Sequence, residues 1–296
     1  MSIAVLDPVL AHIDANIKQS TENLFKLLRI PSISTDSAYR QDCEKAANWL
    51  VEDLKSIGFD ASKRATPGHP MVVAHAGSEG PHVLFYGHYD VQPVDPFELW
   101  GRSPFEPALD QGDLGPVIRA RGASDDKGQL MTFVEACRAW KAVYGTLPGK
   151  ISLFFEGEEE SGSPSLVPFM RDNAEELTAD VAMICDTGLL GDHTPGIVTR
   201  LRGLLGEELT ITGPSKDLHS GMYGGPAMNP TRVLAKIIAA LHDDQGRITV
   251  PGFYDGVPEL PSEIAAQWEG LNFDQDGFLG QVDLSDLAGE QGRSAL

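Results

Sequence analysis

Apolar residues recur at helical spacing in the first part of the chain. Residues 7–29 and 39–57 each carry one apolar face, which predicts two amphipathic helices. Pro31 stands where the first helix must stop, and Gly58 is placed to cap the second. A third helix is predicted from about residue 129 to residue 144. The chain therefore begins with long helices before any clear strand signal.

Short, continuous apolar runs are typical of strands that are buried on both faces. Such runs occupy residues 71–74, 83–86, 151–155 and 180–185. After the second run, residues 91–117 are rich in Pro and Gly and predict a long loop, which is usually functional in a compact domain. Strands that alternate with helices predict an α/β fold with a mostly parallel sheet.

The pattern changes near residue 201. Residues 204–212 predict a half-exposed strand, a Gly-rich stretch follows, and Asn229 is suited to cap a further helix. We therefore expect two domains, residues 1–201 and residues 202–296.

Charged residues stand at the ends of the predicted strands. His88 and Asp90 follow one buried run, Glu159 and Glu160 follow the next, and Asp186 follows the last. Strand alternation points the side chains of residues 88 and 90 the same way. In parallel sheets, functional sites form where the carboxyl ends of the strands meet. We therefore expect these five side chains to share one site.

Asp125 follows a Gly-rich turn and completes the candidate set. One histidine among several carboxylates suits zinc, with cobalt and manganese as alternatives. With two adjacent glutamates, one can bind a metal ion while its neighbour serves as a general base. Plainer interpretations stay open: Glu158–Glu160 as a solvated run, Asp125–Asp126 as a helix cap and Asp186 as a turn residue.

Composition limits the possible partners. The formal net charge of −20 disfavours nucleic acids and anionic membranes. Three cysteines without a CxxC pair fit a reducing compartment, so we expect a cytoplasmic protein. We expect no signal peptide and no membrane span, because neither pattern is present. The sequence has no HExxH, GxSxG or P-loop motif, which gives nucleophilic-serine and nucleotide chemistry little support.

Four segments resemble the carnosinase-like dipeptidases, which belong to the dinuclear zinc aminoacylase and carboxypeptidase clan. These segments are Tyr86–Pro93, Arg121–Gly128, Glu156–Ser163 and Asp217–Gly225. The resemblance implies metal-dependent hydrolysis of dipeptides. It also implies a zinc-peptidase-like catalytic domain, followed by an α+β lid domain through which two subunits form a homodimer. An N-acyl amino acid amidohydrolase of the same clan is the alternative activity.

The resemblance also assigns metal ligands. It implies that His88 and Asp186 bind one zinc ion, that Asp125 bridges two ions and that Glu160 binds the second. The complete enzyme is expected to hold two zinc ions per subunit, with manganese or cobalt as alternatives.

Other roles follow from the same resemblance. Glu159 is expected to be the general base, and Asp90 to orient His88. His219 is expected to reach the partner subunit's active site and to polarise the scissile carbonyl. The Asp125–Asp126 peptide is expected to be cis.

The sequence departs from this family at its end. Family members are longer, and both the histidine ligand of the second zinc ion and the arginine that grips the substrate carboxylate are expected beyond residue 296. We therefore expect a fragment that holds one zinc ion or none. The alternative from a different functional class is a non-catalytic protein that binds metal or forms dimers.

Overall fold

The computed structural model describes residues 3–112, 115–189, 194–198, 201 and 203–293. The chain divides into two compact units, Met1–Asp186 and Thr187–Leu296. This division comes earlier in the chain than the domain boundary predicted near residue 201. We use "unit 1" and "unit 2" for the two parts and describe each by itself.

Unit 1 alternates helices and strands, and it contains the three long helices and four strands that the sequence predicts. The last of these strands, at residues 181–184, is exposed and not buried as predicted. Its helices are α1 (Ile3–Leu28), α2 (Arg40–Ser56), α3 (Lys127–Tyr144), α4 (Leu166–Asp172) and α5 (Ala174–Leu177). Its strands are β1 (Asp60–Arg64), β2 (Met71–Ala76), β3 (His82–His88), β4 (Ala108–Gly112), β5 (Gly115–Arg119), β6 (Lys150–Glu156) and β7 (Val181–Ile184).

The main sheet has five strands in the order β1-β2-β6-β3-β7. Strand β3 lies between β6 and β7 and runs parallel to both. Strand β2 runs antiparallel to both of its neighbours. Four strands thus point one way and β2 points the other, which confirms the predicted mostly parallel sheet. The carboxyl ends of β3, β6 and β7 consequently meet at one edge.

Apolar side chains cover both faces of this sheet. On one face, Leu50 of α2 and Leu130 of α3 join Phe85 and Phe155 of the strands in the larger buried cluster. On the other face, Leu177 of α5 packs in a smaller cluster with strand residues. Burial of apolar area contributes roughly 25 cal/mol per Å². The strand ends are therefore held from both faces.

The sequence missed strand β1 and the β4–β5 hairpin. The predicted loop at residues 91–117 was wrong in part, because β4 pairs antiparallel with β5 inside and just beyond it. Strands β1, β4 and β5 alternate between exposed and partly buried positions, with a single fully buried residue in β1. They therefore lack the continuous apolar run on which the prediction depended.

The described part of unit 2 contains short helices. They are α6 (Ser220–Tyr223), α7 (Pro230–Ala239), α8 (Ser262–Glu269) and α9 (Gln275–Gly280). Asn229 caps α7 as predicted, because its side chain accepts a hydrogen bond of 2.9 Å from the Thr231 N–H.

The strand predicted at residues 204–212 was wrong. None of these residues lies in a strand, and Leu204 is 98% exposed. A strand needs a neighbour to satisfy its backbone groups, and none of the described residues of unit 2 supplies a ladder. The described residues of unit 2 thus contain the helices of the predicted α+β lid domain but no strand.

Among the described residues, no helix combines the length and the apolar character needed to cross a membrane.

Candidate metal centre

Three predicted ligands come together at the carboxyl edge of the sheet. The Nε2 atom of His88 lies 3.1 Å from Asp125 Oδ1 and 3.7 Å from Asp186 Oδ2. One ligand atom from each of the three residues lies within 4.8 Å of the other two. One nitrogen and two carboxylate oxygens are suitable ligands for zinc. These residues can therefore hold a metal ion together.

Neighbouring strands bring two of these ligands together. Tyr86 of β3 pairs with Ile184 of β7, so His88 and Asp186 stand at equivalent positions two residues further along parallel strands. The side chain of His88 is fully buried, whereas that of Asp186 is 37% exposed. His88 is therefore held in place by its surroundings, whereas solvent and an ion can reach Asp186.

The turn before α3 supplies Asp125. Gly122 has φ +79°, and a Cβ at this position would lie 2.8 Å from Val91 Cγ1. A larger residue would therefore disturb the close packing of the turn. The Asp125–Asp126 peptide is cis, as the resemblance implied.

Asp90 contacts the ring of His88 and is itself fully buried. Its Oδ1 lies 3.3 Å from His88 Nδ1. Burial alone would lower the pKa of His88, but the hydrogen bond and charge of Asp90, together with the charges of Asp126 and Glu159, outweigh burial and raise that pKa to about 10. A carboxylate behind an imidazole fixes the ring and makes it a stronger ligand.

Asp126 is a residue of the site that sequence reasoning missed. Its Oδ2 accepts a hydrogen bond of 3.0 Å from the backbone N–H of His88. Burial raises the pKa of Asp126 to about 7, although the His88 backbone bond and charge act in the opposite direction. The side chain makes no capping hydrogen bond to α3. In the sequence, the adjacent Asp125–Asp126 pair was the one sign that Asp126 belongs to the site.

Glu159 and Glu160 follow β6 and face the same acidic surroundings. Burial raises the pKa of Glu159, and the charges of Asp186 and Asp90 raise it further while His88 lowers it. Burial also raises the pKa of Glu160, whose Oε2 accepts a hydrogen bond of 2.7 Å from Gln92 Nε2. Glu160 is not part of the compact group formed by the three ligands named above.

The sequence also singled out Glu158 and His219. Glu158 is 3% exposed, so a solvated run of three glutamates is the wrong interpretation for this residue. His219 belongs to unit 2, where its Nδ1 accepts a hydrogen bond of 3.0 Å from the Gly221 N–H. The role of His219 stays a prediction.

Known proteins that are similar to this chain include peptidases. Over 282 residues the chain is 32% identical to the Cys-Gly metallodipeptidase of Schizosaccharomyces pombe, covering 90% of this chain and 59% of that protein. Over 292 residues it is 27% identical to the human Beta-Ala-His dipeptidase, covering 93% of this chain and 57% of that protein.

A solved structure with a similar fold is an M20 family metallo-carboxypeptidase from Sulfolobus solfataricus. The TM-score is 0.77 at 33% identity, covering 91% of this chain and 60% of that one. The chain thus spans between 57% and 60% of the length of these three proteins. Residues 84–270 match the peptidase family M20/M25/M40, and the chain belongs to this family.

Proposed function

We propose that this protein is a metal-dependent hydrolase that cleaves dipeptides with a free carboxyl end. The observation that carries the proposal is the group formed by His88, Asp125 and Asp186, at the strand ends of a chain from a peptidase family. The names of the relatives support the substrate class, because two of them are dipeptidases and the third is a carboxypeptidase.

Zinc is the metal that we propose, with manganese or cobalt as alternatives. His88, Asp125 and Asp186 would hold the ion, because one nitrogen and two oxygens converge there. Bound zinc supplies Lewis acidity, which lowers the pKa of a coordinated water to about 7. Glu160 would serve a second position that needs further ligands, so we expect one zinc ion or none in this chain.

The remaining side chains would move protons and hold geometry. Glu159 would accept a proton from the attacking water and donate it to the leaving amine, and its raised pKa suits both steps. Asp90 would keep the His88 ring in place through Nδ1. We further propose a cytoplasmic homodimer that forms through unit 2 and positions His219 at the partner's substrate carbonyl.

An N-acyl amino acid amidohydrolase remains the alternative activity, because the same chemistry cleaves both bonds. A non-catalytic metal-binding or dimerisation protein is the alternative from another class, since the chain spans about 60% of its relatives. Substrate assays separate all three: hydrolysis of Cys-Gly or β-Ala-His supports the proposal, hydrolysis of N-acetyl amino acids alone supports the amidohydrolase, and metal binding without turnover supports the third.

The general base gives the sharpest mechanistic test. We expect Glu159→Gln to lower turnover of Cys-Gly by about 100-fold to 10,000-fold, because the amide cannot accept a proton. Zinc binding should be unchanged, as measured by titration against a competing chelator. Glu52→Gln, which changes an exposed glutamate of α2, is the control. Turnover within about tenfold of the unsubstituted chain would remove Glu159 from this role.

A further inference from the structure

Glu158 immediately precedes the two glutamates of the site, yet its side chain points into the protein. Its Oε1 accepts a hydrogen bond of 3.0 Å from the His69 N–H, and its Oε2 accepts one of 3.2 Å from the Ser165 N–H. These two donors belong to separate loops, one before β2 and one before α4. Hydrogen bonds to an ionised carboxylate are stronger than neutral ones, so Glu158 ties the two loops together.

The backbone of Glu158 also closes the turn that carries the site glutamates. Its carbonyl oxygen accepts hydrogen bonds of 3.1 Å from the Ser161 N–H and 2.7 Å from the Ser163 N–H. Ser163 has φ +51°, which is uncommon for a residue with a side chain. Two of the backbone hydrogen bonds that close the turn from residue 158 to residue 163 thus end on Glu158, and a third runs from the Gly162 N–H to the Glu159 carbonyl oxygen at 3.0 Å.

A second buried carboxylate holds this turn from the metal side. The oxygens of Asp90 accept hydrogen bonds from the Glu159 N–H at 3.3 Å and from the Glu160 N–H at 3.1 Å. The same carboxylate contacts the His88 ring. Residues 159 and 160 are thus held between the carboxylates of Glu158 and Asp90.

Gly68 leaves the space that the Glu158 carboxylate occupies. A Cβ at position 68 would lie 1.4 Å from Glu158 Oε1 and 2.5 Å from its Cδ. The backbone of Gly68 is outside the left-handed region, so alanine is compatible with its conformation. A methyl group at position 68 would therefore conflict with the Glu158 side chain and not with the fold of its own loop.

We propose that Glu158 is a positioning residue which, together with the space left by Gly68, fixes the carboxylates of Glu159 and Glu160 relative to His88. Glu158 acts through the backbone of the turn and does not contact substrate. The roles of Glu159 and Glu160 in this inference rest on the proposed function.

Two independent substitutions displace the same carboxylate. Glu158→Gln keeps the side-chain shape but presents an amide N–H₂ group to one of the two backbone donors. Gly68→Ala keeps Glu158 but occupies its space.

Gly101→Ala is the matched control, because a Cβ there meets no atom within 4 Å and the backbone is outside the left-handed region. Each variant is measured by hydrogen–deuterium exchange, by thermal unfolding and by Cys-Gly hydrolysis with zinc.

The expected result is local. Glu158→Gln and Gly68→Ala should speed exchange in the peptide spanning residues 157–165, and the strands of unit 1 should stay protected. A shift of about 1 Å in a reacting group can cost about 100-fold, so kcat should fall by about that factor while KM changes little. Gly101→Ala should match the unsubstituted chain in every measurement.

A double substitution tests whether Gly68 acts through Glu158. Glu158→Ala removes the atoms with which a methyl at position 68 would clash. In that background, Gly68→Ala should add little further change in exchange or kcat, although alone it has a large effect. Residues in contact are expected to show this kind of non-additivity.

Other outcomes would overturn the inference. Exchange at residues 157–165 that stays unchanged in both single variants, or that rises equally throughout unit 1, removes the positioning role. Normal kcat despite faster local exchange also removes it. If the unsubstituted chain hydrolyses no dipeptide, the proposed function fails. The positioning role of Glu158 is then tested by hydrogen–deuterium exchange at residues 157–165 in the single and double variants.

Discussion

Asp90 connects His88 to the turn that carries Glu159 and Glu160 through one buried carboxylate. It lies behind the His88 ring and accepts the backbone N–H groups of Glu159 and Glu160. Because its side chain is fully buried, water cannot replace a lost hydrogen bond there. Any change at Asp90 should therefore affect the ligand and the turn together.

We expect Asp90→Asn to lower zinc affinity by about 10-fold to 100-fold, the usual effect of losing a carboxylate behind a histidine ligand. The new amide is a hydrogen-bond donor that faces other donors, so the ring loses the charged one of its two Nδ1 contacts and keeps the Asp90 carbonyl oxygen at 3.1 Å. Zinc titration against a competing chelator measures the change. Asp14→Asn, at an exposed position of α1, is the control and should have no effect. Unchanged affinity in Asp90→Asn would show that His88 is held by other contacts.

The sequence could predict residues whose position along a strand indicates their role. His88, Asp125 and Asp186 were predicted together, and the structure brings them within ligand distance of one ion. The contacts of Asp126 and Glu158 were not predicted. Asp126 accepts a backbone N–H from 38 residues away in the chain, and Glu158 accepts one from 89 residues away. Local patterns carry no information about which distant amide a carboxylate will meet.

At the scale of elements, a polar network joins three strands at the opposite end of the sheet. Ser152 of β6 is 1% exposed and pairs with His75 of β2. Its Oγ lies 2.8 Å from His75 Nδ1 and 2.7 Å from His82 Nε2, where His82 begins β3. Glu176 of α5 lies 3.1 Å from His75 Nε2. One hydroxyl thus links two histidines, and one of these connects the sheet to α5.

We expect Ser152→Ala to lower the free energy of unfolding by about 1–3 kcal/mol, because two partly buried imidazole nitrogens lose their partner. Urea denaturation measures this change. Ser285→Ala is the control, since that hydroxyl is exposed and bonds to the carboxylate of its neighbour Asp286. Zinc affinity should stay the same, because the network lies near the start of β3 and the ligands lie beyond its end. A loss below about 0.5 kcal/mol would mean that the histidines find other partners.

The success of strand prediction followed the continuous apolar runs in the sequence and not burial itself, since β7 was predicted from such a run although all four of its positions are exposed. Strand β2 has four consecutive buried positions and β6 has six, and both were predicted from their apolar runs. Strand β1 carries the sequence DASKR and contributes one fully buried residue, so its identity comes from pairing with β2. Pairing between distant segments is a tertiary property that a local pattern does not encode.

At the scale of the whole molecule, the proposed dimer makes His219 part of the partner's site. Removing an oxyanion donor typically lowers kcat by about 100-fold to 1,000-fold. We expect Glu159→Gln and His219→Ala chains each to be inactive alone. Refolded together, they should recover activity, because about a quarter of the sites in a random mixture of two-fold dimers receive both intact groups. Mixed dimers that form and stay inactive would place His219 elsewhere in the mechanism.

The two units differ in how well their described residues are buried. Every fully buried hydrophobic side chain among the described residues belongs to unit 1, and Leu177 is the last of them along the chain. In unit 2, Ile197 is 92% exposed and Leu204 is 98% exposed. Segments with few buried apolar contacts open at low cost in free energy, so a protease should cut unit 2 first.

All three proposed zinc ligands lie in unit 1, with Asp186 as its last residue. We therefore expect brief digestion with a protease of broad specificity to leave a fragment that starts near residue 1 and ends between residues 187 and 212. Mass spectrometry identifies the fragment, and chelator competition compares its zinc affinity with that of the intact chain. Equal zinc affinity is expected, because His88, the Asp90 carboxylate that contacts it and both buried clusters belong to unit 1. First cuts within the main sheet, or a fragment that loses zinc, would show that unit 1 depends on unit 2.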